Sequence, residues 1–270
     1  MSLKPHTRAN IFAVISACVV LSFAACGGPK AEVNPELDLV MPKKIVWAWE
    51  RPEDLRFLDA QKFGVAFLAQ TIFLEKDRVI LKPRKQPLAI ADGAYVIAVT
   101  RIETNKVTAD KPVLDDEMCS RTVSLITSTI DLPNVKAIQI DFDAVVSERA
   151  FYRKLMFDLR HELDRADDEN SNSDTHHYLT MTSLASWCTG DAWFNDFPVD
   201  ETVPMAFVMG ADSEKIRTYL RNGNDWLEPL CRGSYGISTD EPQLQNLKEP
   251  RRIYYFKNSP WTTDDLTKVQ

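Results

Sequence analysis

Short apolar runs and longer amphipathic stretches alternate along the chain between residues 45 and 257. Ile45 to Trp49 has the pattern of a short apolar strand, and Pro52 to Ala60 carries apolar residues at helical spacing. Gly64 to Leu74 predicts a second strand, followed by a basic, proline-containing loop through Pro87. Ala94 to Ile102 predicts a third strand, and Asp115 to Ile130 an amphipathic helix. Ala137 to Ala144 is the fourth strand. Ser147 then stands as the cap of a helix with Phe151, Leu155, Leu159 and Leu163 on one face. Arg165 to Asp174 reads as an acidic, polar surface loop. Tyr178 to Cys188 and Val203 to Met209 predict strands five and six, and Ser213 to Arg221 a helix. Cys231 to Ser238 is strand seven, a weak helix or turn follows, and Ile253 to Lys257 is strand eight.

Strands alternating with helices imply parallel pairing through crossover connections. A doubly wound open sheet uses the same elements, but eight strands in about 215 residues suit closure. The expected fold is α/β, a single (β/α)8 TIM-like barrel over residues 45–258, with 259–270 as a C-terminal tail. Its second and fifth strands look longer than a compact barrel needs.

The chain begins differently. Lys4 and Arg8 precede an apolar run from Ile11 to Phe23, which Phe23-Ala24-Ala25-Cys26 closes. A basic head, a short apolar stretch and small residues before the cut describe a secretory signal over residues 1–25. The run is shorter than the roughly 20 residues of a membrane-spanning helix. Cysteine after two alanines resembles the bacterial lipobox, with Phe23 where leucine is usual, so Cys26 is the expected lipidation site. An ordinary signal peptide cut nearby is the alternative. Residues 26–44, with Gly-Gly-Pro, Asn-Pro and Met-Pro, read as a lipidated tether. Extended at about 3.1 Å per residue, it would reach up to about 55 Å. The expected location is the bacterial cell envelope, with the domain anchored to a membrane on the exported side, periplasmic or at the cell surface.

Of the 32 basic residues two leave with the signal, so 30 remain against 39 acidic ones, a formal charge of −9. That balance argues against a nucleic-acid partner, which needs clustered Lys and Arg. Removing Cys18 and Cys26 leaves Cys119, Cys188 and Cys231, an odd number at wide spacing that does not read as a disulfide framework. No Cys and His spacing has metal-ligand character, and neither a phosphate loop nor a Gly-x-Ser-x-Gly elbow is present. Neither metal nor cofactor is expected.

Strand four carries the candidate chemistry. Ile138, Ile140 and Phe142 share one face, and Gln139, Asp141 and Asp143 the other, because side chains alternate along a strand. With the apolar face on helices, two carboxylates about 6.7 Å apart along the strand line the catalytic end of the barrel. A low dielectric there makes one of them hold its proton more readily. This strand resembles the fourth strand of family 18 glycosidases, the chitinase group. There the last acid of an alternating ladder protonates the glycosidic oxygen, and the preceding aspartate supports substrate-assisted attack. The ladder here runs Gln139, Asp141, Asp143 and then Val145, so that family's terminal glutamate is absent and its mechanism does not carry over unchanged.

Five segments resemble an uncharacterised bacterial domain family of glycosidase-like TIM-barrel lipoproteins. They are Val46-Trp47-Ala48-Trp49-Glu50-Arg51-Pro52, Gln139-Ile140-Asp141-Phe142-Asp143-Ala144, Ser186-Trp187-Cys188, Val203-Pro204-Met205 and Asp240-Glu241-Pro242. The resemblance spans about residues 44–258 and implies the fold far more than an activity.

Retaining glycosidases on this fold often place one acid after strand four and another after strand seven, which makes Asp143 the expected acid, Asp141 its modulator and Glu241 the partner. A separation near 5 Å between carboxyls predicts retention, and about 6.5–9.5 Å inversion. Glu50, Glu75, Asp191 and Asp240 are further candidates, each also readable as a loop carboxylate that caps a helix or pairs with Arg51, Arg101 or Arg149. Gln139, Trp47, Trp49, Trp187, Trp193 and Tyr235 are expected to contact a sugar, with Trp193 the most exposed; packing at the barrel core and rim is the plain alternative. The expected function is hydrolysis of an envelope or extracellular polysaccharide by carboxylate acid/base chemistry. A non-catalytic carbohydrate-binding or scaffold lipoprotein is the rival.

Overall fold

A computed structural model describes residues 1–2, 34–169, 176–191 and 193–269. Cys26, nearly all of the expected signal and the start of the tether lie outside the described residues, as do residues 170–174 of the expected surface loop.

The described strands in chain order are β1 (Lys44–Ala48), β2 (Glu53–Leu55), β3 (Phe63–Glu75), β4 (Arg78–Pro83), β5 (Leu88–Ile90) and β6 (Tyr95–Thr104). They continue with β7 (Val135–Asp141), β8 (Tyr178–Leu184), β9 (Glu201–Met205), β10 (Ser234–Ser238) and β11 (Arg252–Phe256). Eight pair in parallel in the order β1-β11-β10-β9-β8-β7-β6-β3, and β1 pairs with β3 to close the barrel. The described α-helices are α1 (Pro35–Val40), α2 (Asp116–Thr127), α3 (Arg149–Glu169), α4 (Ala185–Cys188) and α5 (Ser213–Arg221).

Alternation sorts the side chains into two cores. Ile45, Trp47, Ala66, Leu68, Ile97, Val99, Ala137, Val203 and Tyr254 form the barrel interior. Ile138, Ile140 and Phe142 pack outward with Met118, Leu155 and Leu159, as expected. Asp115 caps α2 by accepting from Met118 N at 2.8 Å, and Phe151, Leu155, Leu159 and Leu163 form the buried stripe of α3. Ser147 does not cap that helix. It lies in a 3-10 turn (Val146–Glu148), where the Glu148 carboxylate accepts from Val145 N at 2.9 Å. The helix runs on through Glu169, so Arg165–Glu169 is not the start of a loop.

The first two crossovers depart from the regular pattern. Pro52 to Ala60 is not helical: β2 pairs with β5, burying Leu55 and Leu58. The basic loop before Pro87 contains β4, antiparallel to β3, which explains the length of β3. The barrel wall left without helices there is covered by the C-terminal residues, which are no free tail. Trp261 and Val269 pack against Val46, Ala48, Val65 and Tyr255, and Trp261 Nε1 donates to Trp47 O at 3.0 Å.

The described part of the expected tether closes the amino-terminal end of the barrel. Leu37 and Met41 are buried in the interior cluster, and Asn34 caps α1 through Glu36 N at 3.0 Å. Fully buried Arg252 pairs with Glu201, holds Asp38 at 3.0 Å and donates to the Pro42 carbonyl at 2.8 Å. The last four residues of the expected fifth strand also differ, because Ala185–Cys188 turns into α4. A disulfide joins Cys188 to Cys231, against the expectation from their spacing. Their 43-residue separation in sequence hides a 5.9 Å separation of Cα atoms between the end of α4 and the 3-10 turn Pro229–Gly233 before β10, a segment expected as the start of strand seven.

Candidate functional site

Glu201, Gln139 and Asp141 mark three levels of the barrel interior. At the base, Glu201 accepts from Tyr254 Oη at 2.7 Å and pairs with Arg252. In the middle, Gln139 Oε1 accepts from Trp47 Nε1 at 2.9 Å, and Gln139 Nε2 donates to Thr180 Oγ1 at 3.2 Å. Both Gln139 and Trp47 are fully buried in this packing, so neither reaches a ligand.

Asp141 and Asp143 sit above that layer, at the carboxyl ends of the strands. Asp141 is 5% exposed, accepts from Thr182 Oγ1 at 2.7 Å and faces Arg101 Nη1 at 3.4 Å. Burial raises its pKa above the ordinary 3.8, Arg101 opposes that, and Asp143 adds to it. Asp143 lies two residues past the end of β7 and is exposed to the cleft, with no hydrogen bond or ion pair among the described residues. The protein packed beneath its carboxyl still raises its pKa, with Arg101 and Lys106 opposing.

These two carboxylates and Arg101 wall an open cavity of about 430 Å³, within the usual range for ligand sites. Trp49, Met205, Phe207 and Phe256 supply apolar lining, Trp49 packing 4.2 Å from Trp47 between ring centres. Gly236 makes room for the floor, since a Cβ there would stand 3.2 Å from the Phe256 ring. Asp212 lines the same cavity from the start of α5, where its side chain makes no capping bond. The sequence pattern did not single it out. Its position after the sixth barrel strand was the signal that placed it at the catalytic end.

Other candidates stand elsewhere. Glu241 accepts from Val208 N at 2.8 Å and pairs with Arg217, and does not line the cavity. Glu50 accepts from Lys85 N, Glu75 pairs with Arg78, Asp191 with Arg149, and Asp240 accepts from Asn258 N at 2.7 Å. Trp187 and Tyr235 are buried outside the barrel wall, Tyr235 accepting from Arg251 Nη1 at 2.9 Å. Trp193 is half-buried, sandwiched among Trp187, Phe194 and Phe197 under the Arg149 guanidinium at 4.9 Å. Of the six expected sugar contacts, only Trp49 lines the cavity.

Among the described residues no cluster of His, Cys, Asp and Glu is arranged to hold a metal, and no helix is long and apolar enough to cross a membrane. No protein-family model matches the chain, and no curated protein matches it.

Proposed function

We propose that this chain is an exported, lipid-anchored bacterial envelope protein whose barrel hydrolyses a polysaccharide. One observation carries the proposal: Asp143 opens to the cleft without a hydrogen bond, beside the buried, proton-retaining Asp141. A carboxyl whose pKa is raised stays protonated to higher pH than an ordinary aspartate and so serves better as a proton donor. Asp143 gives that proton to the glycosidic oxygen as the bond to the anomeric carbon breaks. A water supplies the new hydroxyl, and Asp212 accepts its proton. Arg101 and Thr182 hold the Asp141 carboxyl in place beside Asp143, whose own pKa is raised by burial. Trp49 and Phe207 offer ring faces to the sugar, with Phe256 packed beneath them. The disulfide supports export, since such bonds persist in oxidising compartments.

The resemblance to glycosidase-like lipoproteins points the same way. A second reading, binding without cleavage, is favoured by Val145, 47% exposed where the chitinase ladder ends in glutamate. Mass spectrometry of envelope and extracellular glycans treated with the protein, with Asp143→Asn as control, decides between them. Products lost in the variant and declining as pH rises through the Asp143 pKa are expected. Products that survive in Asp143→Asn refute its role, and binding without products establishes the second reading.

A further inference from the structure

A second cavity of about 290 Å³ adjoins the first, and Arg101, Asp141 and Asp143 wall both. The two therefore adjoin at the carboxylates. Their linings differ in chemistry. The first is dominated by Trp49, Phe207, Phe256 and methionines, whereas the second is bounded by Phe73, Glu103, Thr104 and Lys106. The second exists because β3 and β6 run past the barrel rim: Phe73 and Glu103 pair in register beyond the bulge between Leu68 and Gln70. A compact barrel with shorter strands would leave Asp143 at the end of a pocket.

We propose that the two cavities form one groove that binds a glycan chain across the carboxylates, so that bonds inside the chain lie at Asp143. The substrate class is an extended oligosaccharide or polysaccharide, and the attack is internal, not removal of single terminal sugars. This rests on the glycan reading above and adds the direction and length of the bound chain. Two aromatic residues line the second cavity, and of these Phe73 is half-buried and offers a ring to it, whereas Phe142 is buried. Lys106 and Glu103 there present charge to sugar hydroxyls, with Lys106 oriented by Glu148 at 2.7 Å.

The test is calorimetric binding to Asp143→Asn of β-1,4-linked glucose and N-acetylglucosamine oligosaccharides, from disaccharide to octasaccharide. Affinity is expected to keep rising past the trisaccharide. Adding Phe73→Ala should cost about tenfold for the longer chains, the scale of one lost stacking contact, and leave disaccharide binding unchanged. The retained disaccharide binding also shows that the variant folds. Affinity that is flat beyond the disaccharide, an equal loss at every length, or no binding by either series overturns the groove. Cleavage by the unsubstituted protein separates the two readings. Length-dependent binding without products removes hydrolysis and keeps the groove. Products released one terminal sugar at a time keep hydrolysis and overturn the groove.

Discussion

Val208 holds a left-handed backbone, φ 49°, while its side chain is 80% exposed at the wall of the cavity. Such a conformation costs an L-residue about 1–2 kcal/mol, and β-branching makes it worse. It is maintained from outside. Glu241 accepts from Val208 N at 2.8 Å, Arg217 on α5 pairs with Glu241, and Arg217 also donates to Pro242 O at 2.9 Å. Val208→Gly removes the steric cost but returns about 0.5–1 kcal/mol of conformational freedom to the unfolded chain. Little burial is lost from so exposed a side chain, so a net stabilisation of about 0.5–1 kcal/mol is expected. In a reversible urea transition the midpoint should rise with the slope unchanged. Val208→Ala is the control, because it keeps the left-handed backbone with a Cβ in place. A glycine variant no more stable than the alanine variant, or less stable than the parent, refutes the strain argument. Stabilisation accompanied by weaker glycan binding would mark strain retained for the site.

Three further outcomes follow from the geometry. Asp141 has a folded pKa above its ordinary 3.8, so the native state holds its proton longer, and stability is lost as pH rises from the unfolded to the folded value. Asp141→Asn should therefore gain stability relative to the parent at neutral pH and lose that gain below the ordinary aspartate range; a difference that does not vary with pH in urea titrations contradicts this. Replacing Cys188 and Cys231 together by alanine opens a cross-link of 43-residue separation, worth about 4 kcal/mol in the chain-entropy account. An unchanged denaturation midpoint would rule that contribution out. Arg252→Met strands the buried Glu201 carboxylate and should cost about 3–5 kcal/mol. The double variant with Glu201→Leu should recover much of the loss, and equal destabilisation by both shows that the ion pair is not the source.

Much of the fold was legible because burial has a period. Strand four announced two faces, and Ile138, Ile140 and Phe142 do pack on helices while Asp141 looks inward. The α3 stripe was equally direct, since a helix that buries one side must repeat its apolar residues. Sites built from distant segments were less visible. Glu241 and Asp212 are both acids near the barrel mouth, yet Arg217 claims one while the other lines the cavity. Trp47 and Trp49 differ by one turn of the pleat, and only their height in the barrel separates core from lining. Local sequence determined which residues face in and which face out, because alternation is a property of a single strand. Tertiary structure alone decided which carboxylate found a cation, which cysteines met, and that residues 34–43 close the base of the barrel while 259–269 cover its wall. Those outcomes depend on contacts between segments far apart in the chain, whose partners no local pattern names.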